Sequence, residues 1–65
     1  ALPILQTKDV VYVFEFKLNG SAEDALKQID ERGYLIPYVL DGRRLVKVGV
    51  NFSKETRNVE KYIVE

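Results

Sequence analysis

Glu15 and Lys17, two positions apart in an apolar run, are the residues in this chain whose types and spacing suggest chemistry. Side chains alternate along a β-strand, so both lie on one face, about 7 Å apart at roughly 3.3 Å per residue. A carboxylate can bind a hard cation such as magnesium, and a neighbouring lysine can activate water or stabilise a phosphate. Gln28, on the shoulder of the next helix, could reach the same place. A solvent-facing ion pair and a plain surface glutamine remain the commoner alternatives.

The composition excludes several classes of site. The chain has 65 residues, 10 basic against 10 acidic, and no His, Cys, Met or Trp. It therefore has room for one small domain and lacks the side chains for disulfides, zinc centres, thiol catalysis or a histidine triad. Zero net charge argues against a general electrostatic attraction to nucleic acid or membranes. No apolar run is long enough to span a membrane, and the absence of cysteine fits a cytoplasmic protein.

The elements that must position Glu15 and Lys17 are a strand and the helix after it. β-Branched and aromatic residues dominate Val10–Leu18, which predicts a central strand. Ser21 is a favourable N-cap for a helix over about Ala22 to Arg32, whose apolar residues recur at helical spacing. Gly33 is well placed to end this helix in a left-handed conformation.

The rest of the chain predicts two more strands. Residues 44–52 alternate apolar and polar side chains, with Gly49 allowing a close approach on one face, and residues 59–64 add a hairpin partner. Residues 34–40, interrupted by Pro37, are either one helical turn or an extended segment. Residues 1–5 are either an edge strand or a remnant foreign to the natural chain. The predicted fold is α+β: a single partial domain with a three-stranded mixed sheet and one helix, in β-α-β-β order.

Longer motifs connect Glu15, Lys17 and Gln28 with a known family. The run YVFEFKLNGSAEDALKQI from residue 12, followed by GY at 33–34, PY at 37–38, DGR at 41–43 and KVGVNFS from residue 47, covers most of the chain. These motifs closely resemble the C-terminal domain of the PD-(D/E)XK nuclease superfamily in bacterial proteins that carry an AAA-type ATPase-like domain upstream. The likeness runs from about residue 7 to the C-terminus. It implies a partial restriction-endonuclease-like core.

The resemblance implies a role for each of the three residues. Glu15 would be the acidic metal ligand, Lys17 the catalytic lysine and Gln28 a helix residue that supports the site. The implied cofactor is magnesium, the implied reaction is hydrolysis of DNA or RNA, and an upstream ATPase-like domain is an implied partner.

The chain departs from the superfamily where the first acidic ligand is expected. That ligand belongs on the preceding strand, but residues 1–4 contain no carboxylate, and Asp9 lies in a turn. We therefore expect Glu15 to pair with Lys17 and the isolated chain not to cut nucleic acid efficiently. The alternative is a non-catalytic module that docks on a larger protein or on itself. A homo-oligomer is expected because one helix covers one sheet face while Val11 and Val13 make the opposite face apolar too, and because a missing N-terminal strand leaves an edge open.

Overall fold

The computed structural model describes residues 3–65, which form a four-stranded sheet, one α-helix and one 3-10 turn. The elements in chain order are β1 (Ile4–Gln6), β2 (Val10–Leu18), α1 (Ala22–Glu31), the 3-10 turn Ile36–Tyr38, β3 (Arg44–Ser53) and β4 (Asn58–Val64).

The sheet is mixed, as the sequence predicts. Its strand order is β1-β2-β3-β4, with β2 and β3 parallel and joined through α1, and with β4 antiparallel to β3. The β2–β3 register sets Glu15 opposite Gly49 and Lys17 opposite Asn51. A bulge in the β3–β4 ladder lies between Asn51 and Phe52. From β2 onward the elements follow the predicted strand–helix–strand–strand order, and β1 precedes them.

The prediction of three strands is wrong, because the N-terminal segment adds a fourth. Residues 4–6 pair antiparallel with residues 11–13 of β2. Thr7 closes the connection: its backbone N–H donates to the Val10 carbonyl at 2.8 Å, and its hydroxyl accepts from the Val10 N–H at 2.9 Å. This strand also covers part of the edge that the sequence argument left open. The first two residues, which belong to the same predicted segment, lie outside the described residues.

The ends of α1 follow the capping residues. The Ser21 hydroxyl accepts a hydrogen bond from the Asp24 N–H at 3.0 Å, which satisfies one free donor of the first turn. Arg32 is the C-cap, and Gly33 follows with φ +65°. The Gly33 N–H donates to the Asp30 carbonyl at 3.2 Å, as in a helix that ends on a left-handed residue.

The helix covers one face of the sheet, where Val13 packs with Leu26 and Ile29 of α1. The other face has no helix over it in residues 3–65, although its own side chains bury Val46, Val48 and Val50. The even-numbered residues of β2 point toward this second face, which we call the open face. The strand register assigns fourteen residues to this face, namely Leu5, Val10, Tyr12, Phe14, Phe16, Leu18, Arg44, Val46, Val48, Val50, Phe52, Val59, Tyr62 and Val64. The surplus apolar face is thus the even-numbered one, not the Val11 and Val13 face named from the sequence.

The segment between α1 and β3 adopts the turn rather than the extended alternative. Arg43 anchors its end by donating to both Asp41 carboxylate oxygens, to the Thr7 carbonyl at 3.1 Å and to the Gln6 side chain at 3.1 Å. The hydrogen bond from Arg43 also lowers the pKa of Asp41.

None of the helices in residues 3–65 has the length and apolar character needed to cross a membrane.

Candidate nuclease-type site

Glu15 lies in the middle of β2 on the face covered by α1 and is only 7% exposed. Its burial follows from Gly49, directly opposite on β3. A Cβ atom on Gly49 would lie 2.5 Å from the Ala22 carbonyl oxygen and 3.0 Å from Leu26 Cγ, so α1 approaches the sheet backbone at the level of Glu15. The close approach that the sequence predicts at Gly49 is made by this helix.

The Glu15 carboxylate has no hydrogen-bond or ion-pair partner among residues 3–65. In the same part of the chain, no fully buried side-chain oxygen or nitrogen lacks a partner, so these oxygens keep contact with solvent. Arg32 acts on them from a distance. The pKa of Arg32 is raised mainly by the hydrogen bond it donates to the Tyr34 hydroxyl, with a smaller contribution from the field of Glu15.

Lys17 and Gln28 come together at a surface depression of about 220 Å³. Both side chains are half-buried. Asp24, Lys27 and Glu31, all on one flank of α1, complete the lining. The structure therefore brings two of the three sequence-predicted site residues to one depression.

Glu15 is on the same side of the sheet but does not line this depression. The ion pair expected between Glu15 and Lys17 does not form in the described part of the chain. Both side chains leave one strand face two positions apart, which sets their Cα atoms about 7 Å apart, and α1 packs over Glu15. A buried carboxylate and a half-exposed ammonium group therefore share one face without contact.

Asp24 and Glu31 were not identified from the sequence as residues near the site. They flank Gln28 at spacings of four and three residues, which places all three on one side of a helix. The sequence prediction for α1 rested on its apolar stripe, which lies on a different side of the helix. A search for polar residues at helical spacing around Gln28 would have found both.

Asn51 is a further residue that the sequence did not single out. It is 1% exposed, accepts a hydrogen bond from the Gly20 N–H at 2.9 Å and donates to Glu60 at 3.1 Å. These bonds fix the turn between β2 and α1 against β3 and β4. Asn51 therefore helps to fix the point at which α1 begins, and so the distance between the start of the helix and the sheet.

Two ion pairs hold α1 over the second half of the sheet. Lys47 on β3 donates to Asp30 at 3.0 Å, and Lys61 on β4 donates to Glu23 at 2.7 Å. The pKa of Lys47 is raised, first by its hydrogen bond to Asp30 and then by Glu65. These contacts join α1 to β3 and β4 as well as to the strand that carries Glu15.

The donor set does not fit a firmly held magnesium ion. Within residues 3–65 no three acidic side chains come close enough to hold a metal, whereas magnesium requires near-octahedral oxygen coordination. Asp9 cannot supply the missing ligand because it lies six residues from Glu15, about 20 Å along the chain direction.

Comparison with known proteins identifies the family to which this chain belongs. A curated relative, described as an uncharacterized protein in the vnfD 5' region of Azotobacter chroococcum mcd 1, is 39% identical over 57 residues. The match covers 85% of this chain and 11% of the relative, so the chain spans about a tenth of that protein's length. No solved structure matches significantly. The family model described as PD-(D/E)XK nuclease superfamily matches residues 2–62, and the chain belongs to that superfamily.

Proposed function

We propose that this chain is an incomplete PD-(D/E)XK nuclease domain that keeps the Glu-x-Lys half of the site and, by itself, does not cut nucleic acid efficiently. The observation that carries the proposal is the arrangement of Glu15 and Lys17 on one strand face under α1, with Gln28 on the adjoining helix flank. Superfamily membership supplies the reaction class, which is hydrolysis of a phosphodiester in DNA or RNA.

Each residue has a role that its surroundings allow. Glu15 has solvent-accessible oxygens and no partner among the described side chains, so it can contact a divalent cation. Lys17 is half-exposed at the depression and can reach a phosphate group. Gln28 can orient a ligand there through its amide. One carboxylate gives weak binding at best, and the magnesium implied by the family would need ligands from outside residues 3–65.

Cleavage and metal binding are tested separately. The purified chain is incubated with plasmid, single-stranded DNA and RNA, with and without magnesium or manganese, and no metal-dependent cleavage is expected. Metal-dependent cleavage that disappears in Glu15→Ala and Lys17→Ala, while Lys27→Ala still cuts, would show that the site is complete. Lys27 is the matched control because it lines the same depression from its exposed side.

Manganese titration followed by NMR line broadening locates any weak site. We expect broadening centred on Glu15, lost in Glu15→Gln and kept in Glu31→Gln. Broadening centred on Glu31 instead would overturn the assignment of Glu15 as the metal ligand.

A gain-of-function variant tests whether a missing carboxylate limits binding. Ile4 pairs with Val13 and faces the same side as Glu15, so Ile4→Glu adds a carboxylate diagonal to Glu15 at about 7–8 Å. We expect it to tighten manganese binding. Leu40→Glu, the same kind of change at a residue that is 99% exposed and outside the sheet, is the control and should leave binding unchanged. Equal effects of the two variants would refute the geometric reasoning.

A non-catalytic interaction role is the second candidate, favoured by the apolar open face opposite the site. An AAA-type ATPase-like region upstream, as the sequence resemblance implies, would join this domain to a larger protein. Sequencing the complete gene tests that part of the proposal, and a full-length product without such a region would contradict it.

A further inference from the structure

We propose that the open face docks on the open face of a second copy of this chain, forming a two-fold dimer in which two sheets stack face to face. The proposal does not depend on the nuclease-type function, because the Glu15 site lies on the opposite side of the sheet.

The open face is larger than the apolar patch of an ordinary monomer. Six of its apolar residues are 43–67% exposed: Leu5, Phe16, Leu18, Val59, Tyr62 and Val64. At roughly 150–250 Å² for a large side chain, they expose on the order of 600 Å², and half-buried neighbours bring the face to about 800 Å². The largest apolar patch of a typical monomer is about 300–600 Å². A standard protein interface buries about 800 Å² per partner, so the open face has the area of one half of a stable dimer.

The charge pattern of the open face favours a copy of itself. Charged residues make up 31% of the chain, yet Arg44 is the single charged residue among the fourteen assigned to this face in residues 3–65. Arg44 lies at the start of β3, at one end of the face. Two identical surfaces related by a two-fold axis bring like charges together, and a surface with one peripheral charge avoids that repulsion.

The shape of the face favours a sheet over a lone helix as the occupant. β1 pairs with residues 11–13 of β2 and β4 with residues 48–53 of β3, so three strands lie side by side at most levels of the sheet. At about 4.8 Å per strand the face is roughly 14 Å wide, whereas a helix with its side chains is about 10–12 Å across. A second copy of the same sheet covers the full width at the usual spacing of about 10 Å between sheets. Parallel strands such as β2 and β3 are normally covered on both faces, and the dimer supplies the missing layer.

Oligomeric state and surface variants test the proposal on the chain itself. Sedimentation equilibrium from about 1 to 300 µM should give twice the 7.5 kDa chain mass. Tyr62 is 67% exposed in one chain, so Tyr62→Glu and Tyr62→Lys should each fold, keep the helical circular dichroism signal and sediment as monomers. Leu40→Glu is the matched control. Leu40 lies just after the 3-10 turn and is 99% exposed, so this variant should remain dimeric.

Several results would overturn the proposal. A 7.5 kDa species at 300 µM with a cooperative melt would show that the face needs no partner. Dissociation by Leu40→Glu but not by the Tyr62 variants would move the interface to residues 36–40, and an open-ended series of larger species would exclude a closed two-fold pair. If the Tyr62 variants unfold, the wild-type melting temperature decides: a dimer predicts a rise with protein concentration, and a constant value refutes it.

Discussion

Gly49→Ala should destabilise the chain more than any ordinary change at a strand surface. The added Cβ would lie 2.5 Å from the Ala22 carbonyl oxygen, 3.0 Å from Leu26 Cγ and 3.1 Å from the Leu26 nitrogen. Two of these three atoms are helix backbone, which cannot move aside by rotating a side chain. To restore normal contact distances, α1 must rise by several tenths of an ångström over its whole contact with β2 and β3.

The expected cost follows from overpacking. Extra atoms in a packed core typically cost about 1–3 kcal/mol, and backbone contact at Gly49 places this change in the upper half of that range. A chain of this length has a total stability of roughly 3–10 kcal/mol at about 0.05–0.15 kcal/mol per residue. Gly49→Ala therefore removes a large part of the free energy of unfolding. Urea unfolding followed by circular dichroism measures it as a lower midpoint with an unchanged slope.

Gly20→Ala is the matched control for the same substitution chemistry. A Cβ at Gly20 would meet Lys17 Cβ at 3.4 Å, an ordinary contact distance, and the backbone there is not left-handed. We expect this variant to stay within about 0.5 kcal/mol of the wild type or to gain a little through the unfolded state. If Gly49→Ala also stayed within that limit, α1 would not press on β3, and the explanation for the burial of Glu15 would be wrong.

Three further predictions follow from the contacts around α1. Asn51→Ala should lose about 1–3 kcal/mol of unfolding free energy, because it removes a buried side chain together with the part-buried hydrogen bond from the Gly20 N–H; a urea midpoint equal to the wild type's would contradict this. Gly33→Ala should cost about 1–2 kcal/mol in the same assay, since φ is +65° and the new Cβ would meet Ile36; no loss would mean that the helix end is not held left-handed. Lys47 has a raised pKa, so its ion pairs contribute stability that is fully present below the ordinary value of 10.5 and is lost as pH rises through the higher folded value. The urea midpoints of wild type and Lys47→Met should therefore converge above that pH. A difference that stays constant with pH would refute the assignment.

The elements with a strong pattern were predictable from the sequence. Val10–Leu18 is rich in β-branched and aromatic residues, the helix has Ser21 before it and Gly33 after it, and residues 44–52 alternate. In each case local propensity and hydrophobic periodicity favour the same structure. β1 was missed as a firm prediction because a three-residue strand next to a proline carries almost no periodic signal, and its pairing with β2 is a tertiary contact.

The residues of the candidate site could be named from the sequence, but their arrangement under α1 could not. Glu15, Lys17 and Gln28 followed from spacing and resemblance, and two of them meet at one depression. Which face α1 would cover did not follow, because β2 is apolar on both faces as far as Val13. That choice decides whether Glu15 is buried under a helix or exposed at a sheet surface, and it depends on Gly49 one strand away.

The position of α1 also determines where a complete catalytic centre could be assembled. On the β3 side of Glu15 the helix backbone already occupies the space above Gly49, so no ligand can enter from there. On the other side, β1 pairs with residues 11–13 of β2, and the Pro3 carbonyl accepts a hydrogen bond from the Phe14 N–H at 3.2 Å. An introduced second carboxylate is therefore best placed on β1, on the side of Glu15 away from the contact between α1 and Gly49. Ile4→Glu tests this because Ile4 belongs to that edge strand and faces the same side as Glu15.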